Sequence, residues 1–302
     1  MLVAVVHTVD SPCRCHEAIA GALTRGGHEP VVVGAEEFLA QGAAILGGAR
    51  VAFDHTDTVA GDGRRRGEPR KLLEQAGVAV VGGTAEACEL ADDKLLAREA
   101  MPSGVPIPKG GSLGSPDDPD TWSVGWPRVL KARREHMSRG VRVARDRGEM
   151  RTKARELIAA YGGPLVVEEY VEGRELAVTL IEGAHGPAAL PVAEWRVHEA
   201  VLTYDEKLAA DSVPFVAELT EDERRATADA AQRAFVRLGL RDYARVDLRL
   251  SPDGLAYVLE VNPRPSLEPD SPTAISSAAW GTSLDDLILH LLARAAARAD
   301  AR

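Results

Sequence analysis

The stretch YARVDLRLSPDGLAYVLEVN, residues 243–262, leaves little freedom in how the chain can fold locally. Apolar and polar residues alternate over Tyr243–Leu250. Val246, Leu248 and Leu250 therefore fall on one face of an extended strand, and Arg245, Asp247 and Arg249 on the other. Ser251-Pro-Asp-Gly254 is a turn signature, and Ala256–Val261 reads as the returning strand. If Ser251 pairs with Gly254 across the turn, Arg245 lies opposite Glu260, with Asp247 diagonal to it. Glu260 and Asn262, two positions apart, share that face. Two carboxylates, an amide oxygen and an arginine thus converge on one surface. An all-oxygen donor set suits Mg²⁺, an ion that works together with substrate phosphates. The competing reading is a solvated hairpin with scattered charges.

Composition narrows the rest. The chain has 302 residues, 45% of them hydrophobic and 27% charged, which is ordinary for a globular protein with room for two or three cores. A net charge of −10 argues against nucleic acid as a partner, and Arg64-Arg65-Arg66 is too short a run to reverse that. No apolar run reaches membrane-spanning length, so no membrane partner is expected. The start, MLVAVVHTVD, reads as a strand rather than a signal peptide. Cys13, Cys15 and Cys88 lack zinc spacing, and reduced thiols in a cytoplasmic protein follow.

Strands and helices alternate through the first ninety or so residues. Strands are expected at Leu2–Val6, Pro30–Val33, Val51–Asp54 and Val78–Val81, with helices starting at Ser11-Pro12 and covering Arg70–Gln75. That order implies a parallel sheet with crossover helices. The loop around Gly61–Gly67 lacks dinucleotide-fingerprint spacing. A middle unit should carry a helix at Ala91–Ala100, strand Val129–Lys131, a cationic loop to Gly140, helix Glu149–Tyr161 and strand Leu165–Tyr170. A third should carry strands at Glu175–Ile181 and Ala189–Val192, a loop through Lys207, and a helix opened by the capping box Thr220–Glu223. The hairpin follows, then a long loop rich in Pro and Ser. The final helix is capped by Ser283, with Leu284, Leu287, Ile288 and Leu291 on one face. Trp195 and Trp280 read as core residues.

Lys131 ends a buried strand before a Gly-containing loop, a good position to meet phosphate, although a surface lysine is the bland alternative. Leu165–Glu175 reads as a strand leading into an acidic corner. It could offer backbone groups to an adenine and Glu175 to a ribose hydroxyl, or it could be a solvated linker. His55, at a strand end, and His136, in the cationic loop, are possible substrate contacts.

Taken in order, Asp93-Lys94, Lys131, Glu168-Glu169-Tyr170-Val171 with Glu175, Lys207, Arg245-x-Asp247 and Glu260-Val-Asn262-Pro263 resemble the ATP-grasp superfamily, in its D-alanine–D-alanine ligase branch. The resemblance covers nearly the whole chain. It implies an α/β fold, α+β in places. A Rossmann-like N-terminal domain (1–91) would bind substrate, and central (92–172) and C-terminal (173–302) ATP-grasp domains would hold nucleotide between them. By the same resemblance Lys94 and Lys131 hold the α- and β-phosphates. Glu168, Glu169, the Val171 backbone and Glu175 bind adenine and ribose. Asp247, Glu260 and Asn262 coordinate two Mg²⁺, Lys207 closes over the γ-phosphate, and Arg245 steadies charge at the reacting carboxylate. The implied activity is ADP-forming C–N ligation through an acyl phosphate. The expected partner is a small amino-acid-type molecule, and relatives resemble homodimers.

The amino-acid half departs from the branch. The usual Gly-Gly loop with its ammonium-gripping Glu is His7-Thr-Val-Asp-Ser-Pro-Cys here, with only Glu17 near. The supporting serine and tyrosine align with Met137 and Leu208, and the Gly after the metal-binding Asn is Ser266. Ser271 is kept, preceded by Asp270, and Asp10 is a new polar group. The pattern implies an altered, D-amino-acid-like substrate, with intramolecular ring closure of the cycloserine synthetase type, an antibiotic-biosynthesis activity, as one form. The alternatives are a D-alanine–D-alanine dipeptide ligase and a non-catalytic ATP-binding scaffold.

Overall fold

The computed structural model describes residues 1–101, 104–118, 124–136, 138–196 and 213–301. It begins with β1 (Leu2–His7), α1 (Cys15–Arg25), β2 (Glu29–Gly34), α2 (Ala35–Gln41), β3 (Val51–His55), α3 (Glu68–Gln75), β4 (Ala79–Val80) and α4 (Ala85–Asp92). The four strands form a parallel sheet in the order β2-β1-β3-β4. Both faces of β1 are buried, and its alternation sorts its residues between two cores. Val3 and Val5 pack with Ile19 and Leu23 of α1, while Ala4 and Val6 pack with Phe38 and Leu73 of α2 and α3. An apolar run without alternation of polarity is what a doubly covered strand requires.

Next come α5 (Lys94–Ala100), β5 (Gly110–Leu113), β6 (Arg128–Lys131), β7 (Val141–Ala144), α6 (Arg147–Tyr161) and β8 (Leu165–Glu169). They build a second, antiparallel sheet in the order β5-β8-β6-β7. The third sheet uses β9 (Arg174–Gly183), β10 (Gly186–Ala189), β11 (Ala193–Trp195), β12 (Phe215–Val216), β13 (Tyr243–Leu250) and β14 (Ala256–Asn262). It is backed by α7 (Glu221–Arg237). The Thr220 capping box forms with both of its bonds, which fixes where α7 starts. The chain ends in α8 (Pro272–Ala279) and α9 (Leu284–Asp300). Helix α9 packs Leu287, Ile288 and Leu291 against Val3 and Val5, so the C-terminus closes the first sheet.

Several expectations need correction. The first helix starts at Cys15, not Pro12, because the Ser11 hydroxyl bonds Asp57 and accepts the Cys13 N–H, holding this stretch as a turn. The expected Ala91–Ala100 helix is two helices. Asp93 sits at ψ 104° between them and caps α5, its carboxylate taking the Leu95 and Leu96 N–H groups. Leu190–Val192 joins β10 to β11 instead of forming a strand. The Pro- and Ser-rich loop contains α8, whose N-cap is Ser271. Trp280 is 59% exposed at the end of α8 rather than in the core, and Trp195 is half-buried.

The hairpin itself is shifted. Ser251 N–H bonds the Leu255 carbonyl, so Leu250 faces Ala256, one position beyond the expected pairing. A β-bulge at Leu259 adds a second step, after which Asp247 faces Glu260 and Arg245 faces Asn262. One slip would have turned the ligand set away from its partner face, whereas two slips restore it. The expected four residues therefore share a face, with different partners.

Candidate functional site

The bulge shapes the site. It sets Asp247 and Glu260 side by side and leaves the Leu259 carbonyl to accept Lys131 Nζ at 3.4 Å. Around this point two cavities meet. One is lined by Lys131, Ser138, Glu168, Glu169, Tyr170, Val171, Glu175, Arg249, Asp247 and Glu260. The other is a cleft of about 400 Å³, reaching from Asp247, Glu260, Asn262 and Arg245 to Cys13, Cys15, His55, Ser266 and Glu268. Asp247 and Glu260 line both.

Cations now occupy the positions where these oxygens would meet a metal. Arg245 forks onto both Asp247 oxygens at 2.7 and 2.9 Å. Glu260 Oε1 takes His136 Nδ1 at 3.1 Å and Lys94 Nζ at 3.4 Å. Asn262 Oδ1 accepts the Arg264 N–H at 3.0 Å. The donors are carboxylate and amide oxygens only, which fits Mg²⁺. Burial pulls the His136 ring below its usual value, the Arg66 charge adding to this, so the ring is held neutral beside Glu260.

In the first cavity Lys131, at the end of β6, pairs with Glu168 at 2.6 Å, and Arg98 holds the same carboxylate. Glu168 is thus engaged by two cations and orients Lys131, rather than standing free for an adenine. Glu169 Oε1 accepts the Lys109 N–H. Glu175 is locked by Arg249 at 2.6 Å, and Arg249 also stands over the Tyr170 ring. The corner before β9 needs glycine. Gly173 sits at φ 142°, and a Cβ there would lie 2.0 Å from the Leu250 carbonyl oxygen. Lys94 lines a smaller neighbouring pocket with Arg98 and Glu168, and its ammonium also donates to the Glu135 carbonyl.

The cleft is polar and carries both signs of charge. His55 Nε2 lies 3.1 Å from the Tyr243 hydroxyl, and the ring lines the cleft. Cys13 donates to the Cys15 sulfur at 2.7 Å. That bond is the main reason the Cys15 thiol falls to about 4, burial opposing it, while Cys13 is pushed up. The Cys15 sulfur is 3.4 Å from Ser266 Oγ, which donates to Glu268 at 3.0 Å. Glu268 also takes the Arg14 N–H, tying the segment after β14 to the one after β1. Asp270 and Ser271 line the cleft, the Ser271 hydroxyl capping α8. Asp10 is exposed and does not line it. Lys207, Met137 and Leu208 lie outside the described residues.

Behind the cleft is a buried charge network. Asp54 takes Arg70 Nε and Arg264 Nη1, each at 3.1 Å, and Asp92 takes Arg264 Nη2. Burial alone would raise Asp54, but Arg264 and Arg70 more than reverse it and hold the carboxyl low; Asp92 is held low in the same way by Arg66 and Arg264. The roles of Arg249, Arg264, Glu268 and the Cys13–Cys15 pair were not foreseen. Of these, Arg249 shows in the sequence as part of the polar strand face and Cys13-x-Cys15 as free thiols, neither with a partner in view.

Comparison with known proteins adds to this geometry. Residues 120–293 match the family described as D-ala D-ala ligase C-terminus. An uncharacterized protein, y4sG, from Sinorhizobium fredii is 33% identical over 228 residues, 73% of this chain and 67% of its own length. A D-alanine–D-alanine ligase of Thermotoga maritima is 30% identical over 281 residues, covering 92% and 90%. Among solved structures, the D-alanine–D-alanine ligase of Bacillus anthracis complexed with ATP superposes with a TM-score of 0.82 at 20% identity, over 99% of this chain and 98% of its own. The VanG D-Ala:D-Ser ligase of Enterococcus faecalis gives 0.79 at 18%, over 97% and 98%. The fold is therefore the ATP-grasp fold of these ligases.

Proposed function

Because this chain belongs to the D-alanine–D-alanine ligase family, whose members are ADP-forming ATP-grasp enzymes that make a C–N bond with ATP and Mg²⁺, we propose that it runs this chemistry on an amino acid other than D-alanine. One observation carries the reading: Asp247 and Glu260 line both the cavity beside Lys131 and the polar cleft. A phosphoryl group can pass between molecules only where their two sites share a wall.

In this reading ATP lies along Lys131, Glu169, Val171 and Glu175, with Lys94, and Lys207 as the closing cation. Mg²⁺ held by Asp247, Glu260 and Asn262 supplies the charge neutralisation that lets one anion approach another. The acceptor's carboxylate oxygen attacks the γ-phosphorus, the bond to ADP breaks, and an acyl phosphate forms. An amine then attacks the acyl carbon and inorganic phosphate leaves. Arg245, released from Asp247, donates to the oxyanion of that step; one such donor is typically worth roughly 3 kcal/mol of barrier. Lys131 is kept in place by Glu168.

The altered acceptor is inferred from the far wall. Where the family places a Gly-Gly loop and an ammonium-gripping Glu, this chain has Cys13 and Cys15, with Glu268 arriving from the opposite segment. Glu268, already oriented by Ser266 and the Arg14 N–H, is the carboxylate placed to hold an ammonium. The test is ADP release over a panel of D- and L-amino acids with product masses. A single-substrate product lighter by one water would identify ring closure. D-Alanine alone giving a dipeptide would remove the altered-acceptor reading, and silence with every amino acid would remove the ligase reading.

A further inference from the structure

The buried network behind the cleft does not balance. It contains Arg66, Arg70 and Arg264 against Asp54 and Asp92, three positive charges to two negative. Arg70 is fully engaged by Asp54 and the carbonyls of Val81 and Gly83. Arg264 is engaged by Asp54, Asp92 and the Arg66 carbonyl. The surplus charge therefore sits on Arg66. Arg66 is 5% exposed, its Nε and Nη1 have no hydrogen-bond partner, and its nearest carboxylate is Asp92 at 3.4 Å, whose Oδ2 Arg264 already holds while Oδ1 has no hydrogen-bond partner. Asp57, a less buried carboxylate on this wall, takes the Ser11 hydroxyl.

A buried cation that shares its one close carboxylate and donates no hydrogen bond is costly, and a guanidinium cannot escape by losing its proton. Such a group persists where something pairs with it. Arg66 lines the acceptor cleft, at the C-terminal end of the parallel sheet where open α/β folds bind ligands. A guanidinium with vacant donors is suited to a carboxylate or phosphonate, which accepts charge-assisted hydrogen bonds from it. We propose that Arg66 binds a second acidic group on the acceptor, so that the substrate is an amino acid bearing a side-chain carboxylate or phosphonate. This rests on the ligase reading, since the acceptor's first carboxylate is the one activated at Arg245.

The experiment measures ADP release with Mg-ATP and, in parallel, aspartate, glutamate and 2-amino-3-phosphonopropionate of both hands, their amides asparagine and glutamine, and D-alanine. The expected result is a preference of about ten- to a hundred-fold in kcat/KM for an acid over its amide, the usual worth of a charge-assisted bond. In Arg66→Gln that ratio collapses towards one, mainly through KM for the acid. Thermal melting of Arg66→Gln and Arg66→Met reads separately the loss of the buried Arg66–Asp92 pair, so the acid-to-amide ratio is compared in variants that remain folded. Turnover of neutral amino acids without acid preference overturns the Arg66 assignment and leaves the ligase reading standing. A variant that slows acid and amide equally places Arg66 on the transferred phosphoryl group and also overturns it. ATP binding with no turnover of any amino acid removes the ligase reading and this inference together.

Discussion

Replacing Asp54 with Asn tests whether the buried network holds the proposed metal ligands in place. Asp54 is fully buried; one oxygen takes the Thr56 N–H at 3.2 Å, and the other takes Arg70 and Arg264. Asn keeps the shape and one acceptor but turns an NH₂ towards two guanidinium groups. Two charge-assisted bonds are lost and the surplus positive charge doubles. Breaking a buried pair from one side costs about 3–5 kcal/mol. Unfolding entropy of roughly 2.1 cal/mol/K per residue gives a chain of 302 residues about 0.6 kcal/mol/K, so the melting temperature should fall by roughly 5–8 °C. Circular dichroism at pH 7 without nucleotide measures this. Adding Arg70→Met should recover part of the loss, because the second change removes a stranded charge. The effect should reach the site, since the Arg264 backbone N–H holds the Asn262 amide oxygen. The Mg²⁺ concentration needed for half-maximal ADP release should rise several-fold. A variant melting within about 1 °C of the parent, with unchanged Mg²⁺ dependence, would refute the reasoning.

Glu260→Gln should fold but release ADP at least roughly a hundred-fold more slowly, because a neutral amide cannot replace the carboxylate shared by the two cavities; undiminished turnover would remove the metal assignment. Arg245→Met should lower kcat by about a hundred-fold or more with a smaller change in the KM for ATP, read by steady-state kinetics. Gly173→Ala should abolish soluble expression or lower the melting temperature sharply, since its Cβ would meet the Leu250 carbonyl, and an unchanged melt would contradict the backbone geometry. Stability should fall with acid in two windows. His7 and His136 are held below their usual value, by burial first, so an unfolded chain takes protons that the fold refuses as pH drops below about 6.5. Asp54 and Asp92 are held low by their arginines, so their contribution is complete above about pH 4 and is lost as pH falls through the folded values. Melting curves from pH 8 to pH 3 would check both, and a rise towards pH 5 would contradict the first.

The parallel sheet, the capped helices α7 and α9 and the four polar residues of the hairpin were legible because each rests on local information: an apolar run, an N-cap, or alternation along a strand. The family was legible as an ordered series of short matches, each weak alone. What failed was whatever depends on a partner far along the chain. Asp93 breaks a helix because Arg133 and Arg134 hold its carboxylate, forty or so positions away. Glu168 looks like a free acid in the sequence, and Arg98 with Lys131 makes it a positioning group.

The sequence by itself determined which oxygen ligands share a face, since side-chain alternation is a property of the strand and survives any even shift of register. Only the tertiary structure decided which ligand stands opposite which, because the wider turn and the bulge at Leu259 cannot be read from the residue pattern. It also decided that Arg66 carries the surplus charge, because charge balance in a buried cluster depends on chain segments that meet only after folding.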